Sequence, residues 1–433
     1  MILLIVVNLA VATAVLFRRF LKHWYFLLQD ERRLETVAYV ERALEQLLGG
    51  TLLPVPPSPR LAEEEFVRRM PRAAPKEQDA LKQLFRQWGL LNDCLRRLRQ
   101  GSSKQRARSA LVLGRMQARE ALPSLFALLA EENTELRLGA LRALELMGDP
   151  EAIEPLVKLL PAVKDTAWRL VWAALIACGR PEPERLRTHL AHPEPRVRVV
   201  VAAVLGELAS PALLDALRAH AGDPDPEVRA KVAWALGCIG SPRAFPLLAE
   251  RAQDPVWYVR LQAVGALGAL GERRAHKLLA RAVHDSNLLV RQKAASALYR
   301  LWRDPGYLVD FLRQHDPDRY ALEALISELE WRGITWEAIN GVTSPRRSHR
   351  AHSRELVRRL VSLGTYASVL YAVEMHPDTN LRHALLELLA QTLPAERHPE
   401  LGALLASPYL DAGSRRAIEK LVGSPVEGGD GMD

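Results

Sequence analysis

The segments VRAKVAWALGCIG at residues 228–240 and VRLQAVGALGALG at residues 259–271 decide the fold of this chain. The same frame fits five further segments between residues 100 and 302. The second residues of the seven copies are Arg106, Arg137, Trp168, Arg198, Arg229, Arg260 and Arg291. Successive markers are 30 or 31 residues apart, and so constant a period indicates one structural unit repeated along the chain.

Each copy has the apolar pattern of a helix. Apolar residues lie three, four and seven places after the marker, as in Val232, Ala233 and Leu236, which is one stripe of a 3.6-residue period. A second apolar segment follows each copy, so one period holds a helix, a turn and a second helix. Such a pair buries its stripe only by stacking on its neighbours, which predicts an all-α fold, an α-solenoid of stacked helical hairpins.

The turn before several marked helices carries an acid six residues ahead of the arginine. Examples are Asp223 before Arg229 and Asp254 before Arg260. We expect a ladder of acid and arginine pairs that ties one turn to the next, and we therefore interpret these residues as structural. Glycines at positions 148, 240 and 271 are typical of helix ends.

The pattern D-P-x-x-x-V-R-x-x-A-x-x-A-L-G-x-x-G, nearly intact at residues 223–240 and 254–271, resembles the HEAT-like repeats named after the phycobilisome lyases. The resemblance implies a stack of helix pairs of the HEAT or armadillo type, in a family with many scaffolds and few enzymes. An accessory role in bilin-lyase chemistry is the enzymatic alternative. Trp168 in place of arginine, and Tyr299 and Trp302 in place of glycines, depart from the pattern.

Composition agrees with a folded helical chain. Of the 433 residues, 48% are hydrophobic, 25% are charged and 6% are aromatic. The three cysteines, Cys94, Cys178 and Cys238, form no C-x-x-C pair, which argues against a disulfide framework or a zinc site and predicts small buried residues. The net charge of +8 suits an acidic partner without identifying it.

The first seventeen residues, MILLIVVNLAVATAVLF, carry no charge and reach the lower length limit for a bilayer span. Arg18, Arg19 and Lys22 follow directly, and by the positive-inside rule they would keep the rest of the chain in the cytoplasm. The sequence thus predicts a single-pass inner-membrane protein whose N-terminus lies outside and whose solenoid lies in the cytoplasm. A cleaved secretion signal is the alternative interpretation.

The remaining organisation follows from helical spacing, prolines and the repeats. We predict a transmembrane helix at 1–17, an amphipathic stalk helix at 18–50, a proline-rich linker at 51–60, a helical cap at 61–100, the HEAT-like solenoid at 101–303, divergent helical repeats with a C-terminal cap at 304–423, and a disordered tail at 424–433. This layout resembles bacterial membrane-anchored repeat proteins that accompany membrane glycosyltransferases.

The sequence offers no candidate catalytic residue, metal site or cofactor. The pairs His189 with His192 and His349 with His352 have a spacing that could share a metal, but neither has a third ligand beside it. There is no nucleotide-binding or nucleophile-elbow motif. There is also no His-Glu dipeptide of the kind used by deoxyhypusine hydroxylase, a di-iron enzyme built from similar repeats.

A basic cluster between Cys94 and Arg119 holds eight cations and no acid over 96–119. Its members are Arg96, Arg97, Arg99, Lys104, Arg106, Arg108, Arg115 and Arg119. It is either a solvated face of the first repeat or a patch for anionic lipid headgroups or another acidic partner. A second cluster covers 344–359. Nucleic acid is the less natural partner, because the clusters lack interleaved aromatic residues.

If positions three, four and seven after the marker face inward, positions two, five and nine face the opposite way. By resemblance that face lines the concave side of the solenoid. The candidate partner-binding residues there are Arg108, Arg115, Arg142, Lys231, Trp234, Gln262, Lys293 and Arg300. The sequence therefore predicts a non-catalytic scaffold that recruits a protein partner, such as an envelope-polysaccharide glycosyltransferase, through a basic concave face.

Overall fold

A computed structural model describes residues 31–47, 54–163, 167–302 and 318–423. These residues form helices and turns, and no β-strand occurs among them. The chain therefore has the all-α fold predicted from the period. Its helices divide into two compact units, Met1–Leu208 and Ala209–Asp433.

Each of the seven repeats contributes one long helix. In the first unit these helices cover Ser103–Arg115, Thr134–Met147, Trp168–Gly179 and Pro195–Leu208. In the second unit they cover Pro226–Ile239, Trp257–Leu270 and Leu288–Trp302. Consecutive long helices within a unit pack on one another and form a continuous layer.

A short helix follows each of the first six long helices and forms the other half of the hairpin. These short helices cover Leu122–Leu129, Ile153–Leu159, Glu184–Arg187, Leu214–Ala219, Phe245–Arg251 and His276–Ala282. Five of the six are entered through a three-residue 3₁₀ turn, as at Pro242–Ala244. The positions predicted to face inward, among them Val232, Leu236 and Leu267, are almost fully buried between the two layers.

Helices also flank the seven repeats. Before them lie a helix at residues 31–47 and the helices Pro59–Arg69, Pro75–Gln87 and Leu90–Gln100. After them come Arg319–Trp331, Ile334–Gly341, Arg347–Ser362, Ala367–Met375, Thr379–Thr392, a 3₁₀ segment at Ala395–Ala406, and Ala412–Val422. The later helices share one apolar core that extends from Leu329 to Ile418.

The predicted membrane segment at 1–17, with Arg18, Arg19 and Lys22, lies outside the described residues, as does the tail at 424–433. No helix in the four described ranges is long and apolar enough to cross a bilayer. This finding contradicts the predicted single-pass inner-membrane localisation. The prediction of a transmembrane helix and of a bilayer as partner gains no support from it.

Capping side chains and left-handed glycines set the ends of several long helices. Asp225 caps the Pro226–Ile239 helix by accepting hydrogen bonds from the amides of Glu227 and Val228, at 2.8 and 3.2 Å. The same helix ends at Gly240, whose φ of 68° is left-handed and costs little only for glycine. Gly148 and Gly271 end their helices in the same conformation.

The expected ladder joins Arg106, Arg229 and Arg260 to the acid of the following turn. Arg229 donates from Nε and Nη2 to the carboxylate of Asp254, at 2.8 and 3.0 Å. Its Nη1 donates to the carbonyl oxygen of Asp223, six residues earlier, at 3.0 Å. Arg260 binds Asp285 and the Asp254 carbonyl in the same way, at 2.6 to 2.9 Å. One guanidinium thus connects two successive turns.

Asp254 completes the joint with a hydrogen bond of its own. Its side chain is 1% exposed and accepts from the amide of Val256 at 3.0 Å. Burial acts to raise the pKa of Asp254, but the hydrogen bonds from Arg229 and Val256 and the charges of Arg229 and Arg251 outweigh burial, so the pKa lies below its usual value. The pKa of Asp285 is lowered by the corresponding groups.

We expect Asp254→Asn to lower the free energy of unfolding by about 2–4 kcal/mol, because it leaves the buried guanidinium of Arg229 without a counter-charge. Asp215→Asn is the matched control. Asp215 also pairs with arginine but is 67% exposed, so its loss should cost less than about 1 kcal/mol. Urea denaturation followed by circular dichroism measures both, and equal effects would show that the ladder does not stabilise the stack.

The lowered pKa values of Asp254 and Asp285 predict how stability depends on pH. The stabilisation is complete above the unfolded-state pKa of about 3.9 and is lost as the pH falls through the lower folded-state values. The urea midpoint should therefore fall steeply below about pH 4. Asp254→Asn should make that fall shallower, and an unchanged slope would contradict the assignment.

Candidate functional site

The long helices of the second unit form an open groove on the face that carries positions two, five and nine. Its volume is about 290 Å³. The residues that line it are Trp234, Gly237, Cys238, Gln262, Gly265, Ala266, Ala269, Lys293 and Arg300. Four of the predicted partner-binding residues, Trp234, Gln262, Lys293 and Arg300, thus lie together. Lys231 joins them through Trp234, since its Nζ lies 5.9 Å from the centre of the indole ring.

Glycines set the shape of the groove in two ways. A Cβ at Gly268 would lie 2.5 Å from Cβ of Ala297, and one at Gly237 would lie 2.6 Å from Cβ of Ala266. These glycines therefore allow neighbouring long helices to pack closely. Gly265 has a different role, because a Cβ there would meet only the side chain of Lys293, whose Cδ is 3.4 Å away. Because Gly265 has no side chain, the groove is deeper at this position.

The groove is positively charged. Lys231, Lys293 and Arg300 are exposed, and none of them has an ion-pair partner in the described part of the chain. No acid is among the residues that line the groove. Trp234, half-buried at one side, supplies the single aromatic ring. The groove therefore presents cations and one indole around a shallow floor of small residues.

The predicted residues of the first unit are arranged differently. Arg108 pairs with Glu64 at 2.7 Å, and Arg142 pairs with Glu145 at 2.6 Å. Arg108 lines a separate hollow of about 710 Å³ that also holds acids, Glu64 and Asp93. In this unit the charges on positions two, five and nine are largely compensated.

Folding also neutralises most of the basic cluster at 96–119. Acids from other segments pair with four of its members: Arg97 with Glu63, Arg106 with Glu131, Arg108 with Glu64, and Arg119 with Asp149. Arg96 pairs with Asp93, three residues earlier on the same helix. Arg99 donates to the hydroxyl of Ser124 at 3.3 Å. Arg99, Lys104 and Arg115 are the members without an ion pair among the described residues. Acids of the fold therefore compensate five of the eight cations.

His192 stands six residues before Arg198, where other repeats have an acid, and it makes the same hydrogen bonds within its own turn as that acid. His192 accepts a hydrogen bond through Nδ1 from the amide of Glu194 at 3.1 Å, and its carbonyl accepts from Arg198 at 2.9 Å. His189 lies 3.3 Å from Glu154. Within the described ranges no group of three or more His, Cys, Asp or Glu side chains could hold a metal ion.

Cys238 corrects the prediction that all three cysteines are buried. Cys94 and Cys178 are buried, and burial raises the pKa of each thiol to about 12. Cys238 is exposed and lines the groove. It lies nine places after Arg229, so the face pattern that selected Arg300 would have selected it too.

A family model of HEAT repeats matches residues 92–179, 183–264 and 251–330, which is more than half of the chain. The bilin biosynthesis protein PecE of Mastigocladus laminosus is 32% identical over 114 residues, and that match covers 25% of this chain and 41% of PecE. This chain therefore spans less than half the length of that relative.

The solved structures that resemble this chain do so weakly. The karyopherin Kap121p bound to Nup53p has 13% identity and a TM-score of 0.45, covering 84% of this chain and 51% of its own. Human deoxyhypusine hydroxylase has 19% identity and a TM-score of 0.26, covering 63% and 98%. An engineered protein has 16% identity and a TM-score of 0.30, covering 77% and 99%. Similarities this weak carry no information about what this chain binds.

The same change at two glycines of one helix should have opposite effects. We expect Gly268→Ala to cost about 1–3 kcal/mol of unfolding free energy, because its Cβ would overlap Ala297. Gly265→Ala should add up to about 1 kcal/mol, because it improves helix propensity and meets only a flexible lysine stem. Urea midpoints measure both changes, and shifts in the same direction would contradict the two roles.

Proposed function

This chain belongs to the HEAT-repeat family, and we propose that it is a non-catalytic scaffold that binds a protein partner in the groove of its second unit. The observation that carries the proposal is the convergence of Lys231, Trp234, Gln262 and Lys293 on one open surface. A half-buried tryptophan beside an open hollow is the type of residue that most often anchors a protein interface.

The way the repeats are built supports a binding role. Each repeat contacts only its neighbours, so the buried positions maintain the stack while positions two, five and nine vary without disturbing it. In the second unit those positions hold cations, a tryptophan and small residues rather than an acid–base pair suited to proton transfer. The side chains of the groove are therefore suited to binding a partner.

The identity of the partner stays a prediction from layout. An envelope-polysaccharide glycosyltransferase was expected from the order of the predicted segments, and no contact among the described residues selects that partner over another protein. The lipid and nucleic-acid alternatives weaken with the pairing of the basic cluster, in which Arg97, Arg106 and Arg119 are held by Glu63, Glu131 and Asp149.

An accessory role in bilin chemistry is the second candidate. The match to PecE favours it, because 114 residues at 32% identity are similar to a protein named for bilin biosynthesis. This chain would then either position a bilin enzyme or be a subunit of that enzyme. Both roles are compatible with the same repeats. Visible absorbance acquired by the purified chain on mixing with a bilin would support this candidate over the first.

We expect a photo-reactive phenylalanine in place of Gln262 to crosslink the full chain to one discrete protein in the native cell. The same group at Lys277, which is exposed on the short His276–Ala282 helix, is the matched control and should give no such adduct. Trp234→Ala should weaken the interaction about 30-fold, the equivalent of about 2 kcal/mol at a central anchor.

Mass spectrometry of the adducts decides the outcome. Identical adducts from positions 262 and 277, or an adduct at 262 that survives Trp234→Ala unchanged, would overturn the assignment of the groove. Circular dichroism of each variant establishes that the fold is retained.

A further inference from the structure

We propose that the groove of the second unit binds an extended acidic segment of the partner protein, about six residues long, with its carboxylates grouped towards both ends. The inference rests on the proposed scaffold function and specifies the chemistry of the partner.

The cations of the groove lack acidic partners. Several arginines of the second unit are paired with acids, as in Arg229 with Asp254 and Arg243 with Asp215. Lys231, Lys293 and Arg300 lie together around the groove, and the described residues offer none of them an acid. Three cations around one hollow with no acid in its lining create a local positive potential that carboxylates would neutralise.

The spacing of the helices gives the length of the segment. Lys231 lies on the first long helix of this unit, while Lys293 and Arg300 lie on the third. Packed helices are about 8–10 Å apart, so the axes of the outer two helices are separated by about 16–20 Å, which sets the greatest width of the groove. An extended chain covers that distance in about six residues at about 3.3 Å each. Carboxylates near both ends of such a segment would reach both groups of cations.

The middle of the groove suits a polypeptide backbone. Gly265 lacks the side chain that would fill the floor, and Gln262, one turn earlier on the same helix, is half-buried there. A glutamine amide both donates and accepts hydrogen bonds, which matches a peptide unit. Trp234 adds an apolar wall for a side chain between the two acidic ends.

These features favour a peptide over single-stranded nucleic acid. Proteins that hold single strands stack successive bases on several aromatic side chains. The groove offers one aromatic side chain, Trp234, among its lining residues.

The test uses the purified full chain and two fluorescein-labelled decapeptides of identical composition. The first carries two glutamates at each end, with leucine and glycines between, and the second carries all four glutamates at its centre. We expect fluorescence anisotropy to show at least about fivefold tighter binding of the first peptide, because only its charges reach both ends of the groove. Raising the salt concentration to about 1 M should abolish the binding.

Charge reversal locates the site. Lys231→Glu and Lys293→Glu should each weaken binding of the first peptide about fivefold to tenfold. Gly265→Glu should do the same, because it places a carboxylate on the floor beside Lys293. Lys277→Glu, equally a lysine reversal on an exposed helix position, should leave the affinity unchanged. All four positions are on the surface, so circular dichroism should show retained folds.

The outcomes separate this inference from the scaffold function. If neither peptide binds while the adduct at position 262 forms in wild type and in Lys231→Glu with Lys293→Glu alike, the acidic segment is refuted and the scaffold stands. If no adduct forms at position 262 in any variant, the scaffold function fails and this inference with it. Displacement of the first peptide by oligothymidylate at a lower concentration than by unlabelled peptide would also overturn it.

Discussion

A guanidinium shared between two turns is the contact on which the stack depends. In the second unit Arg229 and Arg260 each hold the carbonyl of their own turn with one nitrogen and the carboxylate of the next turn with two others. Because a planar fork accepts only one geometry, each repeat is placed at a defined height and rotation relative to its neighbour. The acid is itself tied to the amide two residues on, so the joint has little freedom.

Because the register between repeats is constant, equivalent positions of successive repeats lie on the same face of the stack. Once the arginine sets the rotation, the residues two, five and nine places later align across successive long helices. Close approach at Gly237 and Gly268 narrows the layer, and the open position at Gly265 lowers its surface. The packing that builds the core thus also shapes the groove. The chemistry of the groove is set by the outward-facing side chains of the long helices.

The contact between an arginine and the carbonyl six residues earlier also occurs after residue 318, where the repeat pattern is hard to recognise in the sequence. Arg350 donates to the carbonyl six residues earlier, Ser344, at 2.8 Å, and Arg382 binds the carbonyl of His376 at the same separation. His376 also accepts from the amide of Asp378, which is the bond that aspartate makes in the regular copies. The region after residue 318 therefore retains the arginine-to-carbonyl contact of the joint, although the glycines and much of the apolar pattern have changed.

The sequence by itself determined the period, the all-α stack, the buried stripe and the face on which Trp234, Gln262, Lys293 and Arg300 meet, because these follow from helical geometry within one repeat. It predicted a membrane localisation that the described helices contradict. Tertiary structure alone decided which cations are paired. Glu63 and Asp149 reach the cluster at 96–119 from about 30 residues away, and Cys238 is exposed rather than buried. Charge compensation and exposure depend on neighbours in space, which a local pattern of residues does not specify.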